Sequence, residues 1–190
     1  MNASYAAKLA VALIHHPVVD KNGQPITAAV TSLDLHDIAR AARTYGLDAF
    51  YVVTPLQDQQ ELVTALTAHW VKGAGAKYNP DRQAALALIQ LQPDLQGALD
   101  DMKRRHGQKP QTVVTSARMA DSDLTFEGLR AMQQNGRPVM LLFGTAWGMA
   151  PELLAQADFR LTPIEGADGY NHLSVRSAVS IILDRTLAFR

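Results

Sequence analysis

Five short apolar runs, separated by stretches with helical periodicity, constrain this chain more than any other feature of its sequence. They are Leu9–Ile14, Ala49–Val53 and residues 112–115, 139–143 and 159–161. Runs of this length, apolar almost throughout, read as strands buried on both faces. Such strands require a mainly parallel sheet with helices on both faces, an α/β fold.

The intervening segments supply the helices. Leu35, Ile38, Ala39, Ala42 and Tyr45 recur at helical spacing, with Thr31 or Ser32 as N-cap and Gly46 as C-terminal stop. Further helices are expected over about 56–71, where Leu62, Val63 and Leu66 share a face, and over 81–89, 94–105 and 125–134. Pro151 suits a first helical turn. Ser174 caps a last helix whose apolar face carries Val175, Ala178, Val179, Ile182 and Leu183. Residues 72–80, with glycines and an Asn-Pro step, read as an exposed loop, and 73–93 as an insertion on the sheet. No internal repeat or long linker divides the 190 residues, so a single domain over 1–190 is expected.

Composition excludes several kinds of chemistry. Without cysteine there is no disulfide, thiolate metal site or cysteine nucleophile, which suits a cytoplasmic protein. The N-terminus lacks a signal-peptide pattern, and no stretch approaches the roughly 18 apolar residues of a membrane span, so no membrane partner is expected. A net charge of zero argues against coating nucleic acid by charge alone. The basic cluster Lys103, Arg104, Arg105, His106 and Lys109 is either a solvated helix end or an RNA contact. Gly-x-Gly-x-x-Gly after a strand, a phosphate-loop motif, a Gly-x-Ser-x-Gly elbow and His-Glu-x-x-His are all absent. The adjacent His15 and His16, even with His36, form a poor metal-ligand pattern.

Two loops in the last third concentrate the polar groups and glycines. The run at 139–143 leads directly into Gly144, Thr145, Ala146, Trp147, Gly148 and Met149 before Pro151. The run at 159–161 leads into Thr162, Pro163, Ile164, Glu165, Gly166, Ala167, Asp168, Gly169, Tyr170, Asn171, His172 and Leu173 before Ser174. Loops at the carboxyl ends of parallel strands form the ligand edge of an α/β sheet, and glycine lets backbone amides approach a ligand. Together they point to one shared pocket with an apolar wall and backbone donors.

The ordered motifs Leu142-Phe143-Gly144-Thr145-Ala146-Trp147-Gly148, Leu161-Thr162-Pro163-Ile164 and Tyr170-Asn171-His172-Leu173-Ser174-Val175-Arg176-Ser177-Ala178 resemble the cofactor-binding motifs of the SPOUT methyltransferases, closest to the small tRNA (guanine-N1)-methyltransferase-like group. Upstream, Arg40 and Gly46 have the arginine-to-glycine spacing of that superfamily's first motif, although His36 and Asp37 stand where asparagine and glycine are more familiar. The resemblance implies S-adenosylmethionine-dependent methylation of RNA, tRNA or rRNA, by direct methyl transfer. It also implies a C-terminal deep trefoil knot, and a homodimer that packs through the knot region and the last helix.

By the same resemblance, cofactor contacts fall on Thr115, Ser116, Leu142, Phe143, Gly144, Thr145, Gly148, Leu161, Pro163, Ile164, Gly166, Tyr170, Asn171, His172 and Leu173. Arg40 is the first choice for a catalytic or RNA-positioning residue, because a guanidinium grips phosphate or stabilises developing charge; a surface helix arginine is the alternative. Asp168 is either a base or a turn cap, and Asn171 and Ser174 either orient the acceptor or start the last helix. His15 and His16 follow the first strand and either accept a proton or pack locally, while Trp147 either stacks on a base or adenine or packs. A non-catalytic S-adenosylmethionine- or RNA-binding dimerisation module is the competing reading, and a doubly wound nucleotide hydrolase the weaker third.

Overall fold

The computed structural model describes residues 8–188, so the expectations for the leader region and for the two ends of the 1–190 unit lie outside the described residues. The elements run β1 (Leu9–Ile14), β2 (Val18–Val19), β3 (Pro25–Ile26), α1 (Ser32–Thr44), β4 (Ala49–Val53), α2 (Gln57–Val71), α3 (Ala74–Tyr78), α4 (Pro80–Leu86), β5 (Ile89–Gln92), α5 (Leu95–His106), β6 (Gln111–Val114), α6 (Phe126–Gln134), β7 (Val139–Gly144), α7 (Pro151–Gln156), β8 (Phe159–Arg160) and α8 (Val175–Leu187). Six strands form one sheet in the order β5-β4-β1-β7-β6-β8, every pairing parallel; β2 and β3 make a small antiparallel hairpin.

The two-residue period of the strands divides the core into two layers. Leu9, Val11, Leu13, Phe50, Val52, Val113, Leu141 and Phe143 face one side, where Leu35 and Ile38 of α1, Val63 of α2, Leu86 of α4, Leu129 of α6 and Val179 of α8 cover them. Ala10, Ala12, Ile14, Tyr51, Val53, Met140 and Leu142 face the other, against Ala98 and Met102 of α5 and Leu153 of α7. Burying each such Val, Leu or Ile stabilises the fold by about 1.5–3 kcal/mol.

Local signals account for most helix boundaries. Thr31, Asp94, Thr125 and Ser174 each cap a helix by accepting a backbone N–H three residues on, and Pro151 opens α7. Between Thr31 and Ser32 the structure selects Thr31, and Gly46 follows the helix with φ +68°.

Several expectations are corrected. Residues 81–89 are not one helix: α4 stops at Leu86, and Ile89 begins β5, whose alternating Ile-Gln-Leu-Gln is the pattern of an edge strand. The segment 72–80 contains α3, with Gly75 packed so closely on the Trp70 ring that a Cβ would lie 2.7 Å from it. Leu62 is exposed, leaving Val63 and Leu66 on the inner face of α2. Thr115 has already left β6, and Leu161 lies beyond β8, bridged to Leu124.

The basic cluster ends α5. There Arg104 and Arg105 pair with the buried Asp101 carboxylate, and His106 Nε2 lies 3.1 Å from Asp48 Oδ2.

Candidate functional site

The parallel topology brings the carboxyl ends of β1, β6 and β7 to one edge, with Ile14 beside Gly144 and Val114 beside Leu142. The chain turns sharply there. Thr115 donates from both its backbone N–H (3.1 Å) and its hydroxyl (3.0 Å) to the Leu142 carbonyl, and Thr145 does the same to the Ile14 carbonyl (3.2 and 3.0 Å). Gly144 is required because the loop doubles back on it: a Cβ would lie 2.7 Å from Met149 N. The β2 strand then holds the far side of this loop, since Trp147 N–H donates to the Val19 carbonyl at 3.2 Å and Val19 N–H to the Gly148 carbonyl at 2.9 Å.

The chain after β8 is tied to the chain before α6. Leu161 N–H donates to the Val114 carbonyl at 3.0 Å, Thr162 N–H to the Leu124 carbonyl at 2.8 Å, and the Asn171 amide to the Ala117 carbonyl at 3.1 Å. Gly166 lets this loop fold onto itself, for a Cβ there would overlap the Tyr170 carbonyl oxygen at 1.6 Å.

These loops enclose a cavity of about 840 Å³, within the ~300–1,000 Å³ of small-molecule sites. It brings together Thr115, Ser116, Phe143, Gly144, Thr145, Gly148, Leu161, Pro163, Ile164, Asn171, His172, Leu173 and Ser174 from the expected set. Five expected residues are not in its wall. Leu142 points to the opposite face of the sheet, within the second core layer. Gly166 and Tyr170 form the outer turn with Asp168, whose φ is +53°, and all three are exposed. Arg40 is on the solvent side of α1, 3.9 Å from Asp37.

Other wall residues escaped the sequence reading as site residues: Ala28, Ala29, Thr31 and Asp34 from the segment entering α1, Arg118 after β6, and Arg176 in the first turn of α8. Thr31 and Asp34 stand in the stretch leading to Arg40 and Gly46 that resembles the superfamily's first motif, and Arg176 in the last motif, whereas Ala28, Ala29 and Arg118 carried no local signal. Thr31 Oγ1 donates to Asp34 Oδ2 at 2.6 Å, Arg176 Nη1 donates to Asp34 Oδ1 at 3.3 Å, and Arg176 Nε lies 3.5 Å from Asp37 Oδ2. A charged chain therefore runs from the cavity wall through Arg176 and Asp37 to Arg40.

His15, the residue after β1, is fully buried. Burial pushes its pKa down, only partly countered by the Ala28 backbone and the Asp34 charge. Neutral imidazole is thus its resting form at pH 7. His36, on α1, is also lowered by burial and by the Arg82 charge. Among the described residues, no group of three His, Cys, Asp or Glu side chains is placed to hold a metal ion, and no helix is long and apolar enough to cross a membrane.

Comparison with known proteins gives consistent findings. The model of a family described as SAM-dependent RNA methyltransferase matches residues 8–188. A tRNA (guanine-N(1)-)-methyltransferase of Oleidesulfovibrio alaskensis is 47% identical over 176 residues, covering 93% of this chain and 41% of that protein. The chain therefore spans less than half the length of this relative. Among solved structures, the A. aeolicus TrmH/SpoU tRNA modifying enzyme shares the fold at 18% identity and TM-score 0.56, over 97% of this chain and 76% of the other. The SpoU methyltransferase AviRb from Streptomyces viridochromogenes, solved in complex with AdoMet, does so at 16% identity and TM-score 0.55, over 96% and 57%.

Proposed function

Because the chain belongs to the SAM-dependent RNA methyltransferase family, we propose that it binds S-adenosylmethionine in the cavity at the carboxyl edge of its sheet and methylates RNA, tRNA or rRNA. The observation that carries this reading is the cavity itself, built from the loops after β6, β7 and β8. Its wall fits the cofactor's mixed chemistry: Phe143, Leu161, Ile164 and Ile182 offer apolar surface, and Thr115, Ser116, Asn171 and Ser174 offer polar groups. When bound, the cofactor supplies a methyl carbon activated on a sulfonium.

The chain's own residues position the acceptor. Asn171 and Ser174 line the cavity and orient it, with Asn171 anchored on the Ala117 carbonyl and Ser174 fixed as the cap of α8. Arg176 holds Asp34 and Asp37 together, and through Asp37 it orients Arg40 toward the phosphates of an RNA lying along α1. Asp168, on the exposed turn, either accepts a proton from the acceptor or touches RNA outside the cavity.

The chain forms a single domain whose segment after β8 passes through the 115–125 loop, giving the deep knot. In support, Leu161 and Thr162 pair with Leu124, and Asn171 with Ala117, before α8 packs along α1, where Tyr45 donates to Asp184 at 2.9 Å. Two copies associate around this region, a reading supported by the exposed Leu33, Tyr170 and Leu173 on its surface. The enzyme acts in the cytoplasm.

Calorimetric titration with S-adenosylmethionine tests the site. Saturable binding is expected in the wild type, weakened at least about tenfold in Ile164→Arg, which puts a charge into the apolar wall without loss of the circular-dichroism signature. No wild-type binding at millimolar ligand overturns the reading. Transfer of labelled methyl to RNA from cells lacking the gene then separates an enzyme from a module that only binds.

A further inference from the structure

We infer that Trp147 and Arg118 form the platform that receives the acceptor nucleotide, the base stacking on the indole while the guanidinium takes the adjoining phosphate. The inference rests on the methyltransferase reading and assigns its substrate end. A single exposed aromatic side chain is ordinary. Trp147, 54% exposed, is distinguished by three features of its surroundings.

It lines the cavity wall while remaining open to solvent, whereas Leu161 and Phe143 in the same wall are buried. The buried Phe143 and Leu161 end suits the cofactor of the proposed reading, and a macromolecular acceptor has to enter from the solvent-open side, where Trp147 is.

Its backbone is fixed. Hydrogen bonds to β2 hold residues 147 and 148, Gly148 N–H donates to the Thr145 carbonyl at 3.0 Å, and the preceding Ala146 is held at φ +52°. A non-glycine residue in the left-handed region is uncommon and persists only where its surroundings dictate it. The indole is thus presented by a fixed turn, and no loop ordering is needed on binding.

Arg118 also lines the cavity, with its guanidinium carbon 5.3 Å from the Trp147 ring centroid. Its backbone N–H is held by Ser116 Oγ at 3.1 Å. Among the described residues no carboxylate lies within ion-pair distance of it, unlike Arg40, Arg105, Arg160 and Arg176. A half-exposed indole with a guanidinium free of carboxylate partners over its ring matches an unstacked nucleotide, whose base offers a π-face and whose phosphate accepts a bidentate donor. In a chain of zero net charge, local recognition of this kind also replaces a broad basic surface.

The test uses hexaadenylate and the abasic ribose-phosphate oligomer of the same length, each titrated into protein saturated with S-adenosylhomocysteine. In a Trp70→Phe background, the remaining Trp147 fluorescence should be quenched saturably by hexaadenylate and not by the abasic oligomer. In the parent protein, whose folding does not depend on that background, Trp147→Ala should raise the hexaadenylate Kd about tenfold while the S-adenosylmethionine Kd stays within about twofold by calorimetry. Arg118→Ala should weaken both oligomers and reduce the salt slope by roughly 0.7. Equal affinity for the abasic oligomer, an unchanged RNA Kd in either variant, or a Trp147→Ala defect confined to S-adenosylmethionine overturns the platform and leaves the cofactor site standing. Failure of the wild type to bind S-adenosylmethionine removes the methyltransferase reading itself, and the platform with it.

Discussion

Arg176 Nη1 lies 3.3 Å from Asp34 Oδ1, joining the first turn of α8 to the first turn of α1 across 142 residues of sequence. Both residues line the cavity, so this ion pair fixes one wall in place and connects it through Asp37 to Arg40. Asp34 also accepts from Thr31, which leaves the carboxylate partly satisfied without its arginine.

Arg176→Ala should therefore destabilise the protein modestly. The guanidinium is 36% exposed and the carboxylate 11%, so solvent screening limits the loss to about 1 kcal/mol. For a chain of this size that lowers Tm by about 3 °C. Thermal melts of Arg176→Ala, Asp34→Asn and the double variant check this, with non-additivity as the signature of direct coupling. S-adenosylmethionine affinity should fall as well, because the wall loses its brace.

Gly144→Ala and Gly166→Ala should fail differently. At Gly144 the added methyl meets Met149 N and Cγ, at 2.7 and 2.9 Å. The 145–149 loop must shift, and cofactor affinity is expected to drop about tenfold for roughly 1–2 kcal/mol of stability. At Gly166 the methyl would sit on the Tyr170 carbonyl. Since that turn is outside the cavity wall, the loss should register first in Tm and less in affinity. Calorimetry and melting on each variant discriminate the two.

Tyr51→Phe probes a network remote from the site. Tyr51 is fully buried and donates to Asp101 Oδ2 at 2.7 Å. Burial raises its pKa steeply, with the Asp101 bond and charge adding to it. For Asp101, burial opposes ionisation, but hydrogen bonds from Tyr51 and Arg105 outweigh it and hold the carboxyl below the usual range. Loss of the hydroxyl should cost about 1–2 kcal/mol in urea denaturation, with S-adenosylmethionine affinity unchanged.

Stability should fall as the pH drops from neutral toward 5. The His15 ring is depressed below 6.5 in the folded protein, chiefly by burial, and His36 shifts in the same direction. The unfolded chain takes up protons that the folded chain refuses, so the contribution is fully present above about pH 6.5 and is lost as pH falls toward the folded values. Tm measured from about pH 8 to 5 should slope less in His15→Gln than in the wild type. An identical slope would exclude His15 as the source.

What the sequence by itself determined follows from short-range physics. Strand β1 alternates Leu9, Val11 and Leu13 with Ala10, Ala12 and Ile14 between the two cores, and the caps Thr31, Asp94, Thr125 and Ser174 act within three residues of themselves. A pleat or a helical turn is encoded by neighbours, so its signal survives without the rest of the fold. The loops at 144–149 and 161–174 were legible because glycine, proline and polar residues accumulate there. Strand β5 was not, because its four residues pair only with β4 and their alternation merges into the preceding helix.

The tertiary structure decided which residues share the cavity. Ala28 and Asp34 reach it from the segment entering α1 and Arg118 from the distant loop after β6, while Leu142, inside the recognised motif, turns to the opposite face because the strand pleat sends alternate side chains away. Which loops meet is set by strand order β1-β7-β6-β8, and strand order is a property of long-range pairing that no local pattern contains.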